Sequence, residues 1–174
     1  MIPLAMPGPE SFHRPFFPEI MKSLDHTDYR ILEILQQDAK TTIKEIAAVL
    51  SLTTTPVYER IRRLEEEGYI CAYVAVADKK KLDFQILAFC SVSLKEHQRH
   101  ALDYFEAEVK NMKEVAECYH IAGAYDYMLK VVVRSMGDYQ DFMVNKLATM
   151  DYVGNVQSVF AMTEVKCSGA LPLF

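Results

Sequence analysis

Apolar and polar positions change rhythm once along this chain, near Gly68. From Leu24 to Leu64 the apolar residues recur every three or four positions, the period of an amphipathic helix. LDHTDYRILEILQQD sets Leu24, Ile31, Leu32 and Leu35 on one stripe. In TTIKEIAAVLSL, Ile43, Ile46, Ala47 and Leu50 form an apolar face, and Thr42 with Glu45 three residues on forms a capping box that starts a helix near Ile43. Ser51 and Leu52 make a tight turn. In TTTPVYERIRRL, Thr53 is placed to cap a third helix, and Pro56 falls in its first turn, where a missing N–H costs little. Val57, Ile61 and Leu64 then recur at i, i+4 and i+7, and Gly68 is a helix stop. Three short helices, the last two joined by a tight turn, predict a helix-turn-helix domain over residues 24–72.

Beyond Gly68 the rhythm shortens toward two. YICAYVAVAD alternates as a strand does, and KKKLD reads as a polar turn, giving a linker strand and turn over residues 73–84. FQILAFCSVSL is a strand. EHQRHALDYFEAEVKNM is a helix with Ala101, Leu102, Phe105 and Val109 inward. VAECYHIAG and YDYMLKVVVRS are strands around a turn at Ala124–Tyr125. Ser135 caps the helix MGDYQDFMVNKLATM, with Phe142, Met143, Leu147 and Met150 inward, and VGNVQSVFAMTEVKC closes as one long strand. The order β-α-β-β-α-β predicts a ferredoxin-like domain over residues 85–174. The expected fold class is therefore α+β: a three-helix, winged-helix-like helix-turn-helix, a linker strand, then a ferredoxin-like domain. Residues 1–23 hold five of the seven prolines and read as a disordered arm, or as residues upstream of a functional start at Met21.

Composition changes this picture in one respect. The 174 residues, 51% of them hydrophobic, suffice for two small cores. No apolar run reaches membrane-spanning length, and the first residues lack the basic start and apolar core of a signal peptide, so a cytoplasmic location is expected. The net charge of −5 argues against a nucleic-acid binder only until it is mapped. Residues 24–82 carry −1 and residues 83–174 carry −4, while Thr53–Leu64 is locally +2. Cys71, Cys90, Cys118 and Cys167 are too far apart for a zinc-type pair and read as reduced, mostly buried thiols.

The candidate chemistry is sparse. The second helix of a helix-turn-helix lies in the major groove with its first residues at base edges. Thr54, Thr55 and Tyr58 fall opposite the apolar line, where a threonine can bond a base edge or touch a thymine methyl. Thr53 and the helix N-terminus suit a phosphate, and Arg60, Arg62 and Arg63 can reach phosphates or guanine. The competing reading is a capped surface helix whose arginines pair with Glu59 and Glu65–Glu67. His97 and His100 read as a solvated helix face, and His120 as a core histidine or a pocket residue. Asp126, between a glycine turn and an apolar strand, either caps backbone N–H groups or pairs with a ligand ammonium. Neither a catalytic constellation nor a metal or cofactor motif is found, so no enzyme, metal or cofactor is expected.

Four stretches, LDHTDYRILEILQQD, EIAAVLSLTTTPVYERIRRLEEEGYI, GAYDYMLKV and VFAMTEVK, together resemble the leucine-responsive regulatory protein and AsnC family of transcription regulators, from about Leu24 to Lys166. The resemblance implies a sequence-specific regulator that binds double-stranded DNA through Thr53–Arg63. It also implies homodimers formed by sheet-to-sheet packing, assembly to tetramers or octamers, and a small effector, usually an amino acid, bound between dimers. It maps the effector cleft to His120, to Gly123, Ala124, Tyr125 and Asp126, to Met136, and to Val159, Phe160 and Ala161. The chain departs from the family pattern at Met150–Val153, MDYV in place of L-P-G-V, at Ser158, where threonine is common, and at His120. Two other functions fit the same elements: a ligand-independent DNA organiser, and a small-molecule enzyme on a ferredoxin-like fold.

Overall fold

The computed structural model describes residues 23–173, so the proline-rich arm, apart from Ser23, lies outside the described residues. The chain forms two compact units. One comprises residues up to Val74 and from Gly169 on; the other is Ala75–Ser168.

The first unit holds α1 (His26–Gln37), α2 (Ile43–Leu50) and α3 (Thr54–Glu66). α1 and α2 open with reciprocal capping boxes, Asp25 with Asp28 and Thr42 with Glu45. α2 ends at Ser51, a non-glycine residue in the left-handed region (φ 55°), which reverses the chain within three residues and sends it into α3. Thr53 occupies the cap position of α3, but its side chain makes no capping bond. The physical reason lies three residues on: Pro56 has no N–H to donate. Gly68 (φ 78°) stops the helix as its position predicts. Ile31, Ile46, Ala47, Val57 and Leu64 form the core. The second segment of this unit returns to it late in the chain: the Gln36 amide accepts from Leu171 N–H at 2.6 Å and donates to Leu171 C=O at 3.3 Å.

The second unit holds β1 (Ile86–Leu94), α4 (Arg99–Lys110), β2 (Val115–His120), β3 (Tyr127–Val133), α5 (Met136–Phe142) and β4 (Val153–Phe160). The antiparallel sheet runs in the order β2-β3-β1-β4, as the βαββαβ pattern predicts. Strand alternation puts Ala88, Cys90, Val92 and Leu94 of β1 beside Tyr127, Leu129, Val131 and Val133 of β3 in the core. Phe105 and Val109 of α4 and Tyr139 and Phe142 of α5 complete it.

Four expectations need correction. Residues 71–78 form no ladder, because no strand lies beside them among the described residues. β4 ends at Phe160 rather than running to Cys167. The helix after Ser135 does not continue as α: Met143–Leu147 is a π turn, which widens the spiral and brings Leu147 back to the buried side with Phe142. Three of the four cysteines are exposed, and only Cys90 is buried. The MDYV departure has a structural answer. Tyr152, where the family pattern has glycine, adopts φ 67°. Its ring packs edge-on against His100 (5.4 Å) and Tyr104 (5.7 Å), contacts no glycine could make.

Candidate DNA-reading helix and effector positions

The apolar line of α3 faces its core, so the outward line follows from helical geometry: Thr54, Thr55, Tyr58 and Arg62 are exposed, as is Thr53 ahead of them. Tyr58 is 49% exposed, unusual for so large a ring. Arg62 leans on Glu66 one turn later (2.8 Å), a solvated pair that raises the guanidinium pKa but holds it loosely.

Arg60 and Arg63 lie elsewhere. Both turn toward α1 and close on Asp28. Arg60 Nη1 meets Oδ1 at 2.7 Å, and Arg63 Nη2 meets Oδ2 at 2.5 Å. Asp28 is 1% exposed and is the one buried charged residue among those described. Arg60 also meets Asp25 Oδ2 at 2.7 Å. The Asp28 hydrogen bond, opposed by burial and helped by Asp25, holds the Arg60 guanidinium above its ordinary pKa. The brace fixes the back of α3 to the start of α1. Sequence reasoning missed Asp28, although a signal was present: Leu24, Asp28, Ile31 and Leu35 share one stripe, so an acid there must be buried with a partner.

The effector positions fall into two groups at opposite ends of the sheet. At one end, Gly123 (φ 146°) opens the β2–β3 turn, and Ile121 N–H donates to Asp126 C=O (2.8 Å) to close it. Asp126 N–H donates to Val92 C=O (2.9 Å), its Oδ2 accepts from Leu94 N–H (2.7 Å), and its Oδ1 lies 3.0 Å from His97 Nε2. Tyr125 OH donates to Gln157. Ala124 is exposed at the tip. His120 is exposed rather than a core residue, because β2 is an edge strand; its ring stacks on Tyr127 (4.7 Å, 20°). At the other end, Phe160 pairs with Ala88, and Ala161 N–H donates to Leu87 C=O (2.9 Å). Phe160 meets the edge of Tyr139 (4.9 Å), while Met136 and Val159 stand 53% and 55% exposed. Val92 pairs with Tyr127 and Ile86 with Val133, so nearly the length of β1 separates the two groups within one protomer.

Ser158 lies under α5, where it accepts from Tyr139 OH (2.5 Å) beside Cys90 Sγ. Burial pushes the Tyr139 phenol up to about 12, so it stays a neutral donor. Among the described residues no group of three metal-ligating side chains converges, and no helix is long and apolar enough to cross a membrane.

A tight-turned helix pair with an exposed second helix, followed by a βαββαβ sheet, defines a DNA-binding regulator with a second, sensing unit. Comparison with known proteins agrees. Residues 24–70 match the winged helix-turn-helix DNA-binding family, and residues 87–171 match the Lrp/AsnC ligand binding domain. The chain is 37% identical over 153 residues to the Bkd operon transcriptional regulator of Pseudomonas aeruginosa, covering 88% of this chain and 100% of that one. It is 36% identical over 146 residues to the proline dehydrogenase transcriptional activator of Rhizobium radiobacter, covering 84% and 94%. A Neisseria meningitidis transcriptional regulator solved with L-Met superposes with a TM-score of 0.83 at 29% identity, over 86% of this chain and 97% of that one. The chain belongs to the Lrp/AsnC family of transcription regulators.

Proposed function

We propose that α3 reads the major groove with Thr54, Thr55, Tyr58 and Arg62, with Thr53 and the helix N-terminus on a phosphate. The carrying observation is the exposed line on α3 directly after the Ser51 turn. Arg60 and Arg63 act from behind, through Asp28, by fixing the angle at which α3 is presented.

The sheet face away from the helices carries Leu87, Phe89, Met128, Val132 and Val159, an apolar set that a second copy would cover. A dimer built there presents two copies of α3 to a roughly palindromic site. Higher assembly to tetramers or octamers adds avidity without new contacts.

The effector is an amino acid, as the L-Met bound to the Neisseria relative suggests. Its cleft combines the Gly123–Asp126 turn of one copy with Met136 and Val159–Ala161 of another, since one protomer keeps these apart. The ammonium takes Asp126 Oδ1 from His97, while Oδ2 stays on Leu94 N–H. Such a ligand shifts DNA affinity only by binding one assembly state better than the other.

The test is fluorescence anisotropy with DNA from upstream of the protein's own gene and with unrelated DNA, at several salt concentrations. Tighter, salt-steep binding to the upstream DNA supports the assignment of α3; no binding to either DNA refutes it. The occupied oxygens of Asp126 also suit a ligand-independent organiser. Calorimetry with the common amino acids separates the readings, since an organiser gives no heat.

A further inference from the structure

The chain passes between its two units twice, outward at Val74–Ala75 and back at Ser168–Gly169. A unit held by one linker swivels by default, whereas two tethers fixed at separate points remove that freedom. Packing does little for either crossing: Val74, Val76 and Val165 are 74%, 95% and 94% exposed. Both crossings are instead fastened by polar contacts at each end.

On the helical side, Tyr73 OH donates to Glu65 Oε1 of α3 at 2.7 Å. Burial, and after it Glu65 itself, push that phenol up to about 12, so it remains a donor. The returning segment ends on α1 through the paired Gln36–Leu171 hydrogen bonds. On the sheet side, Lys79 pairs with Glu164, which joins one crossing to the other. Lys79 sits in an ordered turn ahead of β1. Its C=O accepts from Phe84 N–H (2.9 Å), and Asp78 Oδ1 accepts from Lys80 and Lys81 N–H (3.0 and 3.2 Å). Glu164 follows Ala161, whose N–H is bonded to β1 at Leu87. Between the anchors lie only residues 74–78 and 165–170, so each crossing spans at most about 20–25 Å when extended. The Asp28 brace completes the circuit, because it ties α1, where the tail ends, to α3, where the linker is fastened.

We propose that this circuit makes Lys79, Glu164, Gln36 and Tyr73 the positioning residues that set half-site spacing. It holds each α3 of a dimer at one reach and angle. The pair then fits half-sites at one separation along the DNA and rejects those turned around the double helix. The inference rests on α3 being the reading helix, and adds which pairs of half-sites two such helices can use.

The experiment starts with selection of bound duplexes from a random library by the full chain. Fluorescence anisotropy then follows on three duplexes: the selected site, the same site with about half a helical turn inserted between its half-sites, and a single half-site. The variants are Lys79→Gln, Glu164→Gln, their double, Gln36→Ala and Tyr73→Phe, with circular dichroism and light scattering to check fold and assembly. We expect the parent to prefer the selected site over the inserted one by about tenfold or more, a difference of about 1.4 kcal/mol. Each single variant should cut that preference to about threefold or less and leave single-half-site affinity unchanged. The double should relax spacing no further than Lys79→Gln or Glu164→Gln alone, since both break one link. Variants that keep the parent's preference overturn the circuit while α3 stands. So does a parent that binds both spacings equally, and so do variants that weaken the single half-site as much as the pair. Failure of the parent to enrich any sequence removes α3 as the reading helix, and the spacing proposal with it.

Discussion

Asp28 in the helical unit and Asp126 in the α+β unit each accept a backbone N–H at Oδ2, from Asp25 and from Leu94, but they answer to different side chains. Asp28 is buried between two guanidiniums, one on each carboxylate oxygen. Asp126 has one backbone N–H and one imidazole, and its side chain is 18% exposed. A guanidinium pair in a buried pocket makes a permanent joint. The His97 imidazole, 66% exposed, can swing away or be displaced by a cation. The same residue type thus serves as a rivet where α3 must keep its angle, and as an exchangeable contact where a ligand is proposed to enter.

The harshest test of this contrast is Asp28→Ala. It strands two arginines in a partly buried pocket and should cost roughly 3–5 kcal/mol, measured by urea denaturation of the helical signal. A loss below about 1 kcal/mol would put Asp28 on a level with a surface pair. Asp126→Ala leaves Leu94 N–H without its acceptor and should cost less, about 1–3 kcal/mol, while removing the amino-acid response of DNA binding.

Acid sharpens the comparison further. The Asp25 carboxyl is held below its ordinary 3.8 chiefly by the Asp28 N–H, against burial and with help from Arg60. Its folded pKa is the lower one, so its contribution is complete above pH 3.8 and is lost as pH falls through the folded value. The helical unit should therefore hold to about pH 4 and weaken below it, and Asp25→Asn should flatten that limb. The smallest expected effect is Arg62→Ala: stability within about 0.5 kcal/mol of the parent, with the salt slope of DNA binding reduced by about one unit. An unchanged slope would take Arg62 off the DNA.

The sequence made the local structure legible wherever one chemical signal decided it. Thr42 with Glu45, Ser135 at a helix start, Gly68 at a helix stop and the period-two runs of β1 and β3 all read through to the fold. What it hid depended on neighbours distant in sequence. The linker alternates as a strand does, but a strand needs a partner, and none is supplied by the described residues. His120 sits in an apolar-looking stretch, but β2 lies at the sheet edge. The arginines of α3 look equivalent in sequence, and only the approach of α1 divides them into two that brace and one that faces out. The positions that the resemblance assigns to an effector lie apart within one protomer, as a cleft between dimers allows, and only strand register shows which fall toward which end of β1.

The clasp between Gln36 and Leu171 sets an order on biosynthesis. The two residues are 135 positions apart, so the three helices leave the ribosome long before their last segment exists. At about 5–20 residues per second, that delay is on the order of ten seconds. The helical unit must hold itself together through that interval on its own core and on the Asp28 brace, and its final hydrogen bonds form only after the whole sheet has been translated.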